Sequence, residues 1–448
     1  MHPYITNTPE QQAAMLRELG FDDFQSLLDQ LVPPELQTRE ALKLPEALSE
    51  WEHQTEIARL SRKGADTQQY VSFLGAGAYD HFVPSVVDFL VSRSEFYTAY
   101  TPYQPEVSQG TLQAMFEFQS MLCELTGMDA ANISLYDGAS ALAEACLLAA
   151  RQTGRNQVLV DAGVHPEYLR VALTYAAPQG LELVTLPSEN YGSEQTLLSG
   201  HLTDETAAVV IQQPNFFGQV QDVIAWRQAI PEKVLLIVII NPVSLGILEA
   251  PGAQGADVVI GEGQPLGNHL SFGGPYLGLM AVKQPLVRKM PGRIIGETVD
   301  QEGNRAFTMV LRTREQDIRR EKATSNICSN QALNALRTGI TLAALGRKGV
   351  RRLAELNLQK AHYLADRLAD LSGWTGPEYP FFNEFVVRTP VPANEIVQTG
   401  LVEGFFAGIS LERWYPERKN ELLLAVTEKR TRREMDALVD FCKKFGNE

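Results

Sequence analysis

Between residues 158 and 282 the chain carries six short apolar, β-branched runs: VLVDAG, LELVTLP, AAVVIQQPN, VLLIVII, DVVIG and YLGLMAV. Helical or turn-forming text separates them, including LRVALTYAA and AWRQAI. A strand wetted on one face alternates apolar and polar residues. These runs do not alternate, which predicts a parallel sheet buried on both faces and covered by helices. Ligands of such sheets sit beyond the carboxyl ends of the strands. Ahead of the runs, TLQAMFEFQSMLCELTG sets Leu112, Met115 and Phe116 on one helical face and stops at Gly127. Ala139 to Arg151 reads as a second helix, ending near Gly154.

The flanks read differently. Residues 1–65 are polar and helical, punctuated by Gly20, Pro33-Pro34 and Gly64, which predicts an N-terminal helical arm. Residues 66–330 form the expected large α/β domain. Residues 331–448 open with helical text, pass through FFNEFVVRT and ELLLAV as strands, and close with the helix TRREMDALVDFCKKF, a smaller α+β domain. A hydrophobic content of 44% supplies a core for these domains. No run of about 18 apolar residues exists, so no membrane span is expected. The net charge of −15 argues against nucleic acid as a partner. Cysteines 123, 146, 328 and 442 lack zinc or disulfide spacing, and no metal site is expected. The opening MHPYITNTPEQQ lacks a signal-peptide core, and a cytoplasmic location is the expectation.

Several stretches could carry chemistry. FLGAGAYDH (73–81) lacks the third glycine of a dinucleotide fingerprint and reads as a tight turn. YDGASALAEA (136–145) opens a helix with Asp137 as a possible N-cap and Ser140 one turn in. Free N–H groups there can hold phosphate, or the helix is simply capped. His165 follows a strand end, where a lone histidine is usually structural. EFYTAYTPYQPE (95–106) gathers Tyr97, Tyr100 and Tyr103 in an extended segment suited to a cleft or a subunit contact. RTREQDIRREK (312–322) is basic but also holds three acids.

Three long stretches carry a resemblance: SRSEFYTAYTPYQPEVSQGTLQAMFEFQSMLCELTGMD, ISLYDGASALAEA and TREQDIRREKATSNICSNQALNAL. They resemble subunit 1 of glycine dehydrogenase (decarboxylating), the N-terminal-half type of the glycine cleavage system P-protein. The resemblance spans essentially the whole chain. It implies the type I fold of pyridoxal phosphate (PLP)-dependent transferases and a partner, subunit 2, in a two-plus-two assembly. It also implies glycine as substrate, and transfer of its aminomethyl group to the lipoyl arm of the H protein. In such folds a ring at the position of His165 stacks on the cofactor's pyridine.

Two departures bear on the cofactor. The partner-type subunit has a His-Lys pair where this chain has Gln264-Pro265, and proline offers no amine for a Schiff base. No lysine lies between Lys233 and Lys283. Asn241 stands where catalytic members use aspartate against the pyridinium nitrogen. PLP is therefore expected on the partner and not covalently on this chain, which alone should be inactive. Two alternatives stay open. One is a purely structural or regulatory scaffold; the other is a self-sufficient PLP enzyme using Lys283 or Lys322. The loop IRREKATSNICSNQ (318–331) offers Arg320, Lys322, Thr324, Ser325 and Asn326 to anions at a partner's site, or else caps the next helix at Ser329.

Overall fold

The computed structural model describes residues 4–446 apart from 5, 39, 41, 189 and 329. Two compact units divide the chain, Met1–Ala65 and Asp66–Glu448. The first holds helices α1 (Pro9–Glu18), α2 (Phe24–Leu31) and α3 (Glu50–Ser61). Thr8 with Gln11, and Ser49 with Glu52, form reciprocal capping boxes that satisfy the first N–H groups of α1 and α3.

The second unit follows the alternation read from the sequence. Its strands in chain order are β1 (Val71–Ser72), β2 (Ala130–Ala131), β3 (Gln157–Val160), β4 (Glu182–Thr185), β5 (Thr206–Gln213), β6 (Leu235–Ile240), β7 (Val258–Glu262), β8 (Gly278–Val282), β9 (Ile294–Val299), β10 (Arg305–Val310), β11 (Glu384–Arg388), β12 (Phe405–Phe406), β13 (Ile409–Ser410) and β14 (Glu421–Ala425). Its helices are α4 (Ser85–Val91), α5 (Ser94–Tyr97), α6 (Gln109–Thr126), α7 (Gly138–Thr153), α8 (Pro166–Ala176), α9 (Val223–Ala229), α10 (Gln316–Arg319), α11 (Ala332–Ala369), α12 (Ala393–Val402) and α13 (Arg432–Cys442).

Seven strands make the central sheet in the order β2-β8-β7-β6-β5-β3-β4. β3 to β7 are mutually parallel, whereas β8 runs antiparallel to both β7 and β2. Burial on both faces explains the unbroken apolar runs. Val209, Ile211, Val238 and Val259 face α6 residues Phe118 and Leu122. Val210, Ile237, Ile239 and Ile260 face Leu142, Ala145 and Leu148 of α7. The register pairs Gln213 with Ile240 and Ile240 with Gly261, which brings the carboxyl ends of β5, β6 and β7 level.

The C-terminal strands pair antiparallel as β11-β14-β13. β1 adds to β12, so residues just after the N-terminal arm join the small sheet region. The hairpin β9–β10 has no counterpart in the sequence reading. The helical text that opens the C-terminal region becomes α11, two helices that meet at a kink where Gly346 takes φ 57. Among the described residues no helix is long and apolar enough to cross a membrane, and no group of three or more metal-ligating side chains gathers.

Candidate functional site

The carboxyl ends of β5, β6 and β7 enclose a cavity of about 30 Å3. Asn241, Glu262 and Pro265 line it, with His165, Tyr168, Tyr79 and Glu384 closing over them. That space admits about two or three water molecules. The surrounding side chains explain why so little space remains.

Glu262 ends β7 and is buried. One carboxylate oxygen accepts from the N–H groups of Gln264 and Leu277, both at 2.9 Å. The other accepts from the N–H of Gly138, the first residue of α7, at 3.0 Å. Asp137 accepts from the Ser140 N–H at 2.7 Å, while the Ser140 hydroxyl accepts from the Asp137 N–H at 3.0 Å. The donors that open α7, an attractive anion site from sequence, thus serve the chain's own carboxylates. Burial pushes the Glu262 carboxyl up to about 8, against the pull of its three backbone donors.

His165 lies on the neighbouring wall. Its Nε2 donates to the Ala76 carbonyl at 2.9 Å, and its Nδ1 accepts from the Glu167 N–H at 3.1 Å. These partners fix the neutral tautomer, and burial lowers the pKa in the same sense. One ring face stacks on this chain's own Tyr168, with centroids 4.6 Å apart and planes 13° apart. Phe216 meets the ring edge-on at 4.8 Å. Tyr168 presses its hydroxyl against Gly138, where an added Cβ would come within 2.6 Å.

Gln264 is locked by its own amide. It accepts from the Tyr79 N–H at 2.9 Å and donates to the carbonyls of Tyr79 and Asn268 at 3.0 and 2.8 Å. Asn241 accepts from the Val243 N–H at 3.1 Å and offers its amide to Asn383. No lysine lines the cavity, its two carboxylates, Glu262 and Glu384, accept from the chain's own donors, and Tyr168 covers one face of His165. The residues present do not fit PLP. Lys283 pairs with Asp257 at 3.1 Å, at the opposite end of β7, and Lys322 is exposed.

Glu384, at the start of β11, reaches into this region from the small sheet. It accepts from the Ala76 N–H at 2.6 Å and from the Tyr79 hydroxyl at 2.8 Å. Burial pushes its carboxyl up to about 7 from the ordinary 4.5. The folded chain therefore keeps a proton between about 4.5 and about 7 that the unfolded chain has released. Stability from this group is complete below the lower value and falls as pH rises, by up to about 1.4 kcal/mol per pH unit. Wild type should lose urea stability relative to Glu384→Gln from about pH 5 to about pH 7.5. A relative gain over that range would mean that the folded chain holds the ionised form.

A second cleft, of about 310 Å3, opens beside the first turns of α11. Tyr97 and Tyr100 line it, with Arg293, Leu333 and Leu336. Tyr103 takes a different position: its hydroxyl accepts from Arg293 at 2.8 Å, and the Arg293 and Arg312 guanidiniums lie 5.4 and 5.1 Å from its ring centroid. The neighbouring loop is tied down by Ser325, whose hydroxyl donates to Glu144 of α7 at 2.8 Å. The Thr324 N–H points to the Arg314 carbonyl at 3.4 Å. Arg320, Lys322 and Asn326 are exposed. Ser329, the candidate cap, lies outside the described residues. α11 begins at Ala332 after Gln331, with no side-chain cap bond.

The sequence reading thus named Asn241, Pro265 and His165 at one cavity but missed Glu262, Tyr168, Tyr79 and Glu384. Glu262 and Glu384 did carry a signal, since each is a lone acid in an otherwise apolar run, VVIGEG and FFNEFVV.

The family model described as "Glycine cleavage system P-protein" matches residues 2–442. The chain is 52% identical to the probable glycine dehydrogenase (decarboxylating) subunit 1 of Chlorobaculum tepidum, over 99% of this chain and 100% of that protein. It is 49% identical to the protein of the same name from Geobacillus kaustophilus, over 98% of each. Among solved structures, an inhibitor-bound glycine decarboxylase (P-protein) of the glycine cleavage system superposes with a TM-score of 0.91 at 42% identity, covering 99% of both chains. Sphingosine-1-phosphate lyase of Burkholderia pseudomallei, at 13% identity and a TM-score of 0.66 over 92% of this chain and 94% of that one, shares the fold alone. That fold is type I of the PLP-dependent enzymes.

Proposed function

The chain belongs to the glycine cleavage system P-protein family, and we propose that it is the subunit of a glycine decarboxylase that does not itself carry PLP. It works with glycine dehydrogenase subunit 2 in a two-plus-two assembly. Subunit 2 carries the cofactor, whose chemistry supplies the electron sink for loss of carbon dioxide from glycine. The aminomethyl group then passes to the lipoyl arm of the H protein. The observation that carries this reading is the filled strand-end cavity. Pro265 offers no amine there, Glu262 takes the N–H groups that open α7, and Tyr168 takes the face of His165.

This chain's own contribution is proposed to lie on the loop after α10. Lys322 and Asn326 are exposed, and neither side chain makes an ion pair or hydrogen bond among the described residues. The carboxylate of glycine and the phosphate of the cofactor are anions that such groups can orient across an interface. Thr324 and Ser325 hold the loop, and Arg320 adds charge beside it. Lys322→Ala or Asn326→Ala should lower glycine decarboxylation by the assembled complex at least about tenfold, equivalent to about 1.4 kcal/mol. Subunit association and melting temperature should be unchanged. An unchanged rate in both variants would favour the scaffold reading, in which no residue of this chain nears the chemistry.

A further inference from the structure

Phe272 is 97% exposed. It also takes φ 47, a left-handed backbone conformation that a side chain with a Cβ rarely adopts. Among the described residues no ring contact or hydrogen bond of the Phe272 side chain offsets either feature. An aromatic ring held outward on an unfavourable backbone, where asparagine or glycine would be easier, is a group positioned for something outside the chain.

The loop beneath it is firmly held. Asn334 of α11 donates to the carbonyls of Pro275 and Tyr276 at 3.1 and 2.7 Å. Asn268 donates to the Thr338 hydroxyl of the same helix at 3.1 Å and accepts from Gln264 through its carbonyl. His269 pairs with Asp88 of α4 at 2.9 Å, and Asp88 pairs with Arg337 of α11 at 2.7 Å. Three segments therefore converge on the first turns of α11: the loop, α4, and the tyrosine segment at Leu333 and Leu336. Phe89, next to Asp88 in α4, is 66% exposed, as is Phe82 just ahead of that helix, and Tyr97 and Tyr100 are 68% and 75% exposed on the segment that follows it.

We propose that Phe272 is a preformed anchor for subunit 2, and that Phe82, Phe89, Tyr97 and Tyr100, exposed on the segments around the start of α11, meet the same partner. The inference rests on the two-chain assembly proposed above. The five rings expose on the order of 700 Å2, close to the share of about 800 Å2 that each partner gives to a standard-size interface. Because the loop is fixed before contact, little conformational freedom is lost on docking, which is how a rigid aromatic becomes a hot spot.

The test uses the full chain and subunit 2, with association measured by titration. Phe272→Asn keeps a residue that tolerates the left-handed backbone, and Phe89→Ser samples the other exposed rings from α4. Each should weaken association at least about thirtyfold, with the melting temperature of the isolated chain not lowered. Val402→Ser, at an equally exposed apolar site on α12, should leave association within about threefold. Failure of the wild-type chain to bind subunit 2 would overturn the assembly and the anchor together. Wild-type binding matched within about threefold by both variants would overturn the anchor alone. Loss of self-association in Phe272→Asn, with subunit 2 binding intact, would assign the ring to a second copy and likewise overturn it.

Discussion

Gly218→Ala is expected to destabilise the chain by at least about 4 kcal/mol, a loss in the range reserved for backbone and core disruption. Gly218 has φ +87, and a Cβ there would fall 1.8 Å from the carbonyl oxygen of Glu384. Neither side can yield. On one side the turn is held by Asn215, whose side-chain oxygen accepts from the N–H groups of Phe217 and Gln219, both at 3.0 Å. On the other, Glu384 pairs with Ala425 in the small sheet and holds the Ala76 N–H through its side chain. The clash therefore separates β11 from the strand-end cavity that Glu384 helps to close. Gly200→Ala is the control: nothing lies within 4 Å of that site, and its stability should change by no more than about 0.5 kcal/mol. Urea unfolding of both variants measures the difference. A loss below about 1 kcal/mol in Gly218→Ala would mean that the junction between the two sheets is loose.

The central sheet was legible because burial on both faces leaves no polar residues in VLLIVII or VVIG. The strand-end location of the site followed from the same fact. The direction of β8 was not legible, since YLGLMAV is apolar in either orientation and only its partners decide. The β9–β10 hairpin was missed although its two runs flank Asp300–Gly303, a turn-rich stretch. At the site, proline in a lysine's place could be read directly, because a missing amine is a property of the residue itself. What fills the space could not. Glu262 reaches Gly138 across 124 positions of sequence, and Glu384 reaches Ala76 across 308. Contacts of that separation leave only an acid in an apolar run as their mark. At Asp137 and Ser140 the sequence left an anion site and a simple cap both open, and the reciprocal bonds between the two residues make it a cap.

We propose that the cofactor is borne by the partner subunit and not by this chain. Three physical losses support it together: no amine at Pro265, no countercharge at Asn241, and no room between Tyr168, Glu262 and Glu384. A single loss could be compensated, but removal of the amine and closure of the cavity act against both covalent and non-covalent binding. The direct measurement is to incubate this chain alone, subunit 2 alone and their mixture with PLP. Each is then reduced with borohydride, the modified peptides are located by mass spectrometry, and glycine decarboxylation is assayed on unreduced portions. The account predicts a pyridoxyl-lysine on subunit 2 only, none on this chain in any sample, and decarboxylation that needs the mixture. A pyridoxyl-lysine on this chain, with decarboxylation by the chain alone, would contradict it.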